Sequence, residues 1–281
     1  MPAVDPNLEA NYNIASARGG LDQVMQRWSA SSAAFREQAD ASLDCAYGPG
    51  ERERIDIFRC GASAAPLYVY LHGGYWQRGD KSLYSFIAAP FLDAAVDVAI
   101  IGYPLCPQVS MTDLVGKVRQ AIGWLYHNAD QLGVNRDRIN LSGHSAGGHL
   151  TAMAVCCDWP DFDEKLPREL LKTAIPFSGL YQLEPLLQTS ISDALHLTPA
   201  EVNRLSPASL QPETQVPLLT IIGGAETAEF FRQTDLLIEK WSGSLAQIER
   251  HVEPEVDHFD LIDRLASPDS QIFQRIINWL R

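Results

Sequence analysis

The rhythm of hydrophobic and polar positions changes several times along this chain. Residues 1–40 are polar and helix-prone, with Trp28 and Phe35 as isolated apolar anchors. They read as an N-terminal arm that can fold over the body as a cap. Arg54-Ile55-Asp56-Ile57 then alternates polar with apolar residues, the period of a strand with one wet face. Beyond it come short, nearly continuous apolar runs at 67–71, 96–101, 139–142, 174–177 and 218–222, each followed by glycine within two residues. Strands that are apolar on both faces belong to a parallel sheet covered on both sides.

Helical stretches lie between these runs. The clearest spans 111–132, where Leu114, Val118, Ile122 and Leu125 recur at helical spacing and Gly133 closes the pattern. Strands alternating with helices predict an α/β fold: a mostly parallel central sheet with helices on both faces. Ligands in such sheets bind beyond the C-terminal strand ends, which is where the glycines fall. Residues 182–213 interrupt the alternation with Pro185, Pro199, Pro207 and Pro212. This stretch reads as an insertion near the active site that completes a small cap with the arm. With no internal repeat, low-complexity tract or linker, residues 1–281 read as one domain.

Composition narrows the function. Hydrophobic residues at 46% and charged residues at 20% place the chain among globular proteins. Its 281 residues can bury about three quarters of the unfolded surface, so neither disulfide nor metal is needed for stability. A formal charge of −13 argues against nucleic acid or an anionic membrane as partner, because phosphate binding needs a positive surface. The five cysteines, Cys45, Cys60, Cys106, Cys156 and Cys157, are odd in number and form neither a disulfide framework nor a zinc spacing. Met1-Pro2-Ala3-Val4-Asp5 lacks the basic and apolar regions of a signal peptide, and no apolar run approaches a membrane span. A cytoplasmic protein acting on a small molecule is expected, with a homodimer left open.

The chemistry is carried by four short segments. Gly143-His144-Ser145-Ala146-Gly147 fits G-x-S-x-G between an apolar strand and a helix. That context demands a sharp turn lifting a serine hydroxyl above the sheet, with glycines removing the β-carbons that would collide. Ser145 is therefore the expected nucleophile. His72-Gly73-Gly74-Tyr75-Trp76 follows the first strong strand. The amides of Gly73 and Gly74, with that of Ala146, are expected to form an oxyanion hole. His72 is expected to support this loop, and His144 and His149 to pack against the sheet.

The general base should lie on a loop after the last strand. His251 sits inside an apparent strand, whereas His258 follows it in a loop, so His258 is the expected base. The orienting carboxylate should follow the penultimate strand, where Gly223-Gly224-Ala225-Glu226 offers Glu226; Asp235 is the reserve and Asp257 reads as a turn residue. The order Ser, Glu, His suits the fold. No H-x-x-x-H or C-x-x-C spacing is present, and no metal or cofactor is expected.

With these residues placed, the chain resembles the kynurenine formamidase (arylformamidase) group of the esterase/lipase α/β-hydrolases. The resemblance rests on His72–Trp76, the 143–150 elbow, Gly223–Glu226 and Asp257-His258-Phe259. It implies the α/β-hydrolase fold, metal-independent hydrolysis of aryl formamides such as N-formyl-kynurenine, and Ser145, Glu226 and His258 as the triad. Many better-known members carry aspartate where this chain has Glu226. Tyr75 and Trp76 can stack on an aromatic substrate or pack beneath the loop. A short-chain carboxylesterase with the same triad is the alternative; a catalytically inactive binding module is the remote one.

Overall fold

The computed structural model describes residues 3–281; Met1 and Pro2 of the expected arm lie outside them. Eight strands form one sheet: β1 (Ala41–Ala46), β2 (Arg54–Phe58), β3 (Leu67–Leu71), β4 (Asp97–Ile101), β5 (Ile139–His144), β6 (Leu171–Phe177), β7 (Leu218–Gly223) and β8 (Ile248–Glu253). Their spatial order is β1-β2-β4-β3-β5-β6-β7-β8. The β1/β2 and β2/β4 pairs are antiparallel and the others parallel.

The apolar runs occupy the middle of this sheet because both of its faces are covered. On β3, Leu67, Val69 and Leu71 pack into one core with the helix Met111–Leu132. Tyr68 and Tyr70 point the other way, into a second core that includes Phe91, Phe273 and Ile276. Full burial of a side chain of this size contributes about 1.5–3 kcal/mol, so each face of a central strand is a substantial source of stability.

The helix Met111–Leu132 starts and stops where its sequence requires. Ser110 accepts the amide of Asp113 at 3.0 Å, and Gly133 ends the helix in the left-handed region at φ 70°. Leu114, Val118, Ile122 and Leu125 are all buried on its inner face. This helix carries the chain from β4 across β3 to β5, and the direction of strand addition reverses there. The crevice between the ends of β3 and β5, where Leu71 pairs with Gly143, is therefore the topological switch point at which ligands bind.

The arm folds into helices Pro6–Tyr12, Ile14–Ala17 and Leu21–Arg36. Trp28 is buried and its indole N–H donates to Asp263 at 2.7 Å; Phe35 stacks at a tilt on Phe58. At the far end Arg36 contacts the buried Asp56 at 2.5 Å, and Lys81 meets the same carboxylate at 2.8 Å. Breaking such a buried pair costs about 3–5 kcal/mol, which ties the arm to the sheet.

The 182–213 insertion consists of short helical turns between β6 and β7. No residue of it lines the cavity above the switch point. It buttresses the arm instead: the amide of Asp5 donates to Gln188 O at 2.8 Å, and that of Ser190 to Glu9 at 2.8 Å. Arm and insertion thus join, with the arm supplying the residues that face the cavity. Among the described residues no helix is long and apolar enough to cross a membrane.

Candidate active site

Ser145 stands at the tip of the turn from β5 into the helix Ala146–Val155, with φ 59° and ψ −115°. A side chain held in this sparsely populated region is strained, and the surrounding structure must hold it there. Its own amide donates to Phe177 O at 2.8 Å, which anchors the tip to β6. The glycines permit the close approach behind it. A β-carbon on Gly147 would stand 2.0 Å from Leu71 O, and one on Gly143 2.3 Å from Gly147 O.

The Gly73–Gly74 loop leaves β3 directly beside Ser145. A β-carbon on Gly73 would lie 3.1 Å from both Ser145 Cβ and His144 O. Gly74 turns sharply at φ 118° and receives the amides of Gln77 and Arg78 on its carbonyl. The amides of Gly73, Gly74 and Ala146 donate to no acceptor among the described residues. His72 supports the loop as expected: Nδ1 lies 2.8 Å from Gly73 O, and Tyr103 OH donates to His72 O at 2.6 Å. Burial lowers the pKa of His72 to about 4, so it stays neutral.

His258 and Glu226 are brought together. His258 Nδ1 lies 2.7 Å from Glu226 Oε2, with both side chains almost wholly enclosed. The partner fixes the proton on Nδ1 and leaves Nε2 as the free lone pair. The other carboxylate oxygen accepts the Gly223 amide at 2.8 Å and the Ser178 hydroxyl. The His258 ring is wedged between His144 at 4.3 Å and Phe230 at 4.6 Å between ring centroids. Burial and the adjacent His258 push the His144 pKa well below the ordinary histidine range, so this wedge carries no charge.

The other candidates lie elsewhere. His251 is on β8, 2.7 Å from Glu253. Asp235 is an exposed partner of Arg250. Asp257 accepts the amides of Phe259 and Asp260 as a turn residue does, and also the Arg18 guanidinium at 2.5 Å. Burial raises its carboxyl pKa, but those donors outweigh it and hold the group below the usual range.

Ser145, His258, Gly73 and Gly74 line one cavity of about 390 Å³. Its walls are mostly apolar, with Met25 and Trp28 from the arm and Tyr75, Tyr84 and Phe259 from the body. Tyr75 reaches the cavity, and its hydroxyl donates to Tyr12 O, binding the loop to the arm. Trp76 does not. It is fully buried beneath the loop, where its N–H donates to His149 Nδ1 at 3.2 Å, and it is absent from the cavity walls. Tyr75 and Trp76 both have positive φ, and this kinked pair sends its two rings to different places.

Ser178 and several arm residues contribute to the site without a local motif. Ser178 follows β6 just as the other site residues follow their strands, which was its one available signal. The arm residues Ile14, Ala15, Leu21, Asp22 and Met25 carry no local signal, because their role depends on where the arm docks.

The fold and this arrangement define an α/β-hydrolase. The chain belongs to the BD-FAE family, whose profile matches residues 55–239. It is similar to the kynurenine formamidase of Salmo salar, at 29% identity over 255 residues, covering 87% of this chain and 84% of that protein. The kynurenine formamidase of Danio rerio is 28% identical over 271 residues, covering 92% and 90%. Among solved structures, a protein of Silicibacter sp. tm1040 provisionally assigned as a thioesterase superimposes with a TM-score of 0.84. It is 30% identical, with 95% of this chain and 97% of that chain covered.

Proposed function

We propose that the chain is a metal-independent serine hydrolase acting by acyl transfer, and that its substrate is an aryl formamide of the N-formyl-kynurenine type. The observation that carries this reading is the meeting in one cavity of Ser145 at its strained turn, the His258–Glu226 pair and the unclaimed amides of the Gly73–Gly74 loop.

In the proposed course Glu226 holds the His258 proton on Nδ1, so Nε2 takes the proton of Ser145 as its oxygen attacks the formyl carbon. The oxyanion is received by the amides of Gly73, Gly74 and Ala146. One such donor contributes about 10²–10³ in rate. As the C–N bond breaks, His258 returns the proton to the departing aryl amine. Water then attacks the formyl-serine with His258 again as base, releasing formate and restoring the hydroxyl.

Two observations favour a formamide over a longer-chain ester. The kynurenine formamidases match this chain over most of both lengths. The cavity presents Trp28, Tyr75, Tyr84 and Phe259, rings suited to a flat aromatic leaving group. The test is kcat/KM on N-formyl-kynurenine beside p-nitrophenyl acetate, butyrate and hexanoate. The formamide should be the best of these, with ester rates falling from acetate onward. An open acyl pocket would instead gain about 0.8 kcal/mol per methylene, roughly fourfold in rate for each. Rates climbing to hexanoate with no formamide cleavage would leave the carboxylesterase standing.

A further inference from the structure

The cavity has two charged side chains on its walls besides its histidines: Asp22, at the start of helix Leu21–Arg36, and Arg78, at the end of the turn that Gly74 begins. Both are exposed, and neither has an ion-pair or side-chain hydrogen-bond partner among the described residues. Their neighbours are different. Arg18 is held by Asp257 and Asp260, Arg27 by Asp263, Arg36 by Asp56, and Arg52 lies 3.5 Å from Asp80. Two opposite charges are thus left uncommitted on the one cavity that contains Ser145 and His258.

Their backbones are also fixed. The Arg78 amide donates to Gly74 O at 3.1 Å, and a β-carbon on Gly74 would strike Arg78 O at 2.2 Å, so the residue is locked to the loop beside Ser145. Asp22 rides on the helix that Trp28 and Arg36 fasten to the body. The two charges therefore reach the same cavity from different elements, the arm and the loop.

The geometry points to a substrate whose aromatic body fills the cavity and whose far end is zwitterionic, with its carboxylate on Arg78 and its ammonium on Asp22. This rests on the formamidase reading and deepens it: the pair would select an aryl formamide carrying an α-amino-acid side chain over the same formamide without one. Arginine suits a carboxylate because its planar donors match both oxygens. A single dominant charge at the rim would attract one end of a zwitterion and repel the other, whereas an uncommitted pair of opposite sign accepts both.

The test compares N-formyl-L-kynurenine with 2-formamidoacetophenone, which keeps the aryl ketone and the scissile bond but lacks the amino-acid end. In the wild type the ratio of their kcat/KM values should favour the zwitterion. Arg78→Gln and Asp22→Asn should each lower that ratio by about tenfold, mostly through KM for N-formyl-L-kynurenine. An unchanged ratio, whether both activities persist or both fall together, overturns the proposal. So does a gain in N-formyl-L-kynurenine turnover in Asp22→Asn, which would indicate an anion-only ligand. If the wild type cleaves neither formamide, the formamidase reading has failed. The charge pair is then judged by L-kynurenine as a competitive inhibitor of p-nitrophenyl acetate hydrolysis. A Ki raised about tenfold in both variants upholds the pair, and an unchanged Ki overturns it.

Discussion

Replacing Glu226 by glutamine keeps the shape of the side chain and exchanges one oxygen for NH2. The position of that NH2 follows from the surroundings. Glu226 Oε1 faces the Gly223 amide at 2.8 Å and the Ser178 hydroxyl, while Oε2 faces His258 Nδ1 at 2.7 Å. A main-chain N–H cannot turn round, so the glutamine must leave its carbonyl oxygen there and present NH2 to His258. Two donors cannot share a hydrogen bond, so the imidazole must move its proton to Nε2 and accept at Nδ1. In that tautomer it offers Ser145 an N–H and cannot take the serine proton. The charge that stabilises the imidazolium during the reaction is lost as well. Together these effects should lower kcat by about 10³–10⁴, or roughly 4–5.5 kcal/mol of barrier. Asp235→Asn is the control: its carboxylate is exposed and paired only with Arg250, and its loss should change kcat less than about twofold. The assay is steady-state hydrolysis of N-formyl-kynurenine and p-nitrophenyl acetate, with circular dichroism melts to show that both variants fold. A Glu226→Gln enzyme that keeps more than a tenth of wild-type kcat, or a more damaged Asp235→Asn enzyme, would refute the assignment.

Two other changes test the site and its support. Ser145→Ala should reduce kcat by about 10⁴-fold or more while shifting Tm by no more than about 2 °C, because the anchoring bond to Phe177 is made by the main chain; retention of a tenth of the activity sinks Ser145 as nucleophile. Acid should destabilise the fold before the carboxylates titrate, because burial lowers the pKa of His72 and of His149 to about 4 from the ordinary 6.5. His149 has no room for a second proton: it accepts Trp76 Nε1 on Nδ1 and donates from Nε2 to Leu205 O at 2.7 Å. The unfolded chain binds more protons between these values, so stability is complete above about pH 6.5 and is lost as pH falls toward 4. At pH 5 the loss should be about 2 kcal/mol for each histidine. Equal unfolding free energies by urea titration at pH 7 and pH 5 would show that these rings are not held neutral.

What could be read from the sequence, and what could not, follows from the range of the forces involved. The inner strands were visible because burial on both faces writes an unbroken apolar run, as in Leu67–Leu71. The edge strand β1 was not, because Ala41–Ala46 is half exposed and carries Ser42, Asp44 and Cys45 in place of such a run. Helix Met111–Leu132 was legible to its ends because its apolar face lies within the segment and its cap, Ser110, and terminal glycine, Gly133, directly adjoin it. The glycine-rich turns at 73–74 and 143–147 were legible for a related reason. Their backbones pass so close to neighbouring main chain that a β-carbon has no space, and only one residue type solves that problem.

Side-chain direction beyond such a turn is a different matter, and here local patterns lose their force. Tyr75 and Trp76 are adjacent, aromatic and equally placed after the two glycines, yet one enters the cavity and the other lies beneath the loop. Their destinations are set by distant partners, Tyr12 O on the arm for Tyr75 and His149 on the helix Ala146–Val155 for Trp76. The same holds for the cavity as a whole. Its side bearing Ser145, His258 and the Gly73–Gly74 loop comes from strand ends, whose positions the alternation of strands and helices dictates. Its far wall comes from residues 14–28, whose sequence reads only as polar and helix-prone until Arg18, Arg27 and Trp28 find Asp257, Asp260 and Asp263. These acids flank or closely follow His258, so the segment that presents the expected base also seats the cap. The contacts of Arg18 with Asp257 and Asp260 thereby join the arm that walls the cavity to the loop that carries His258.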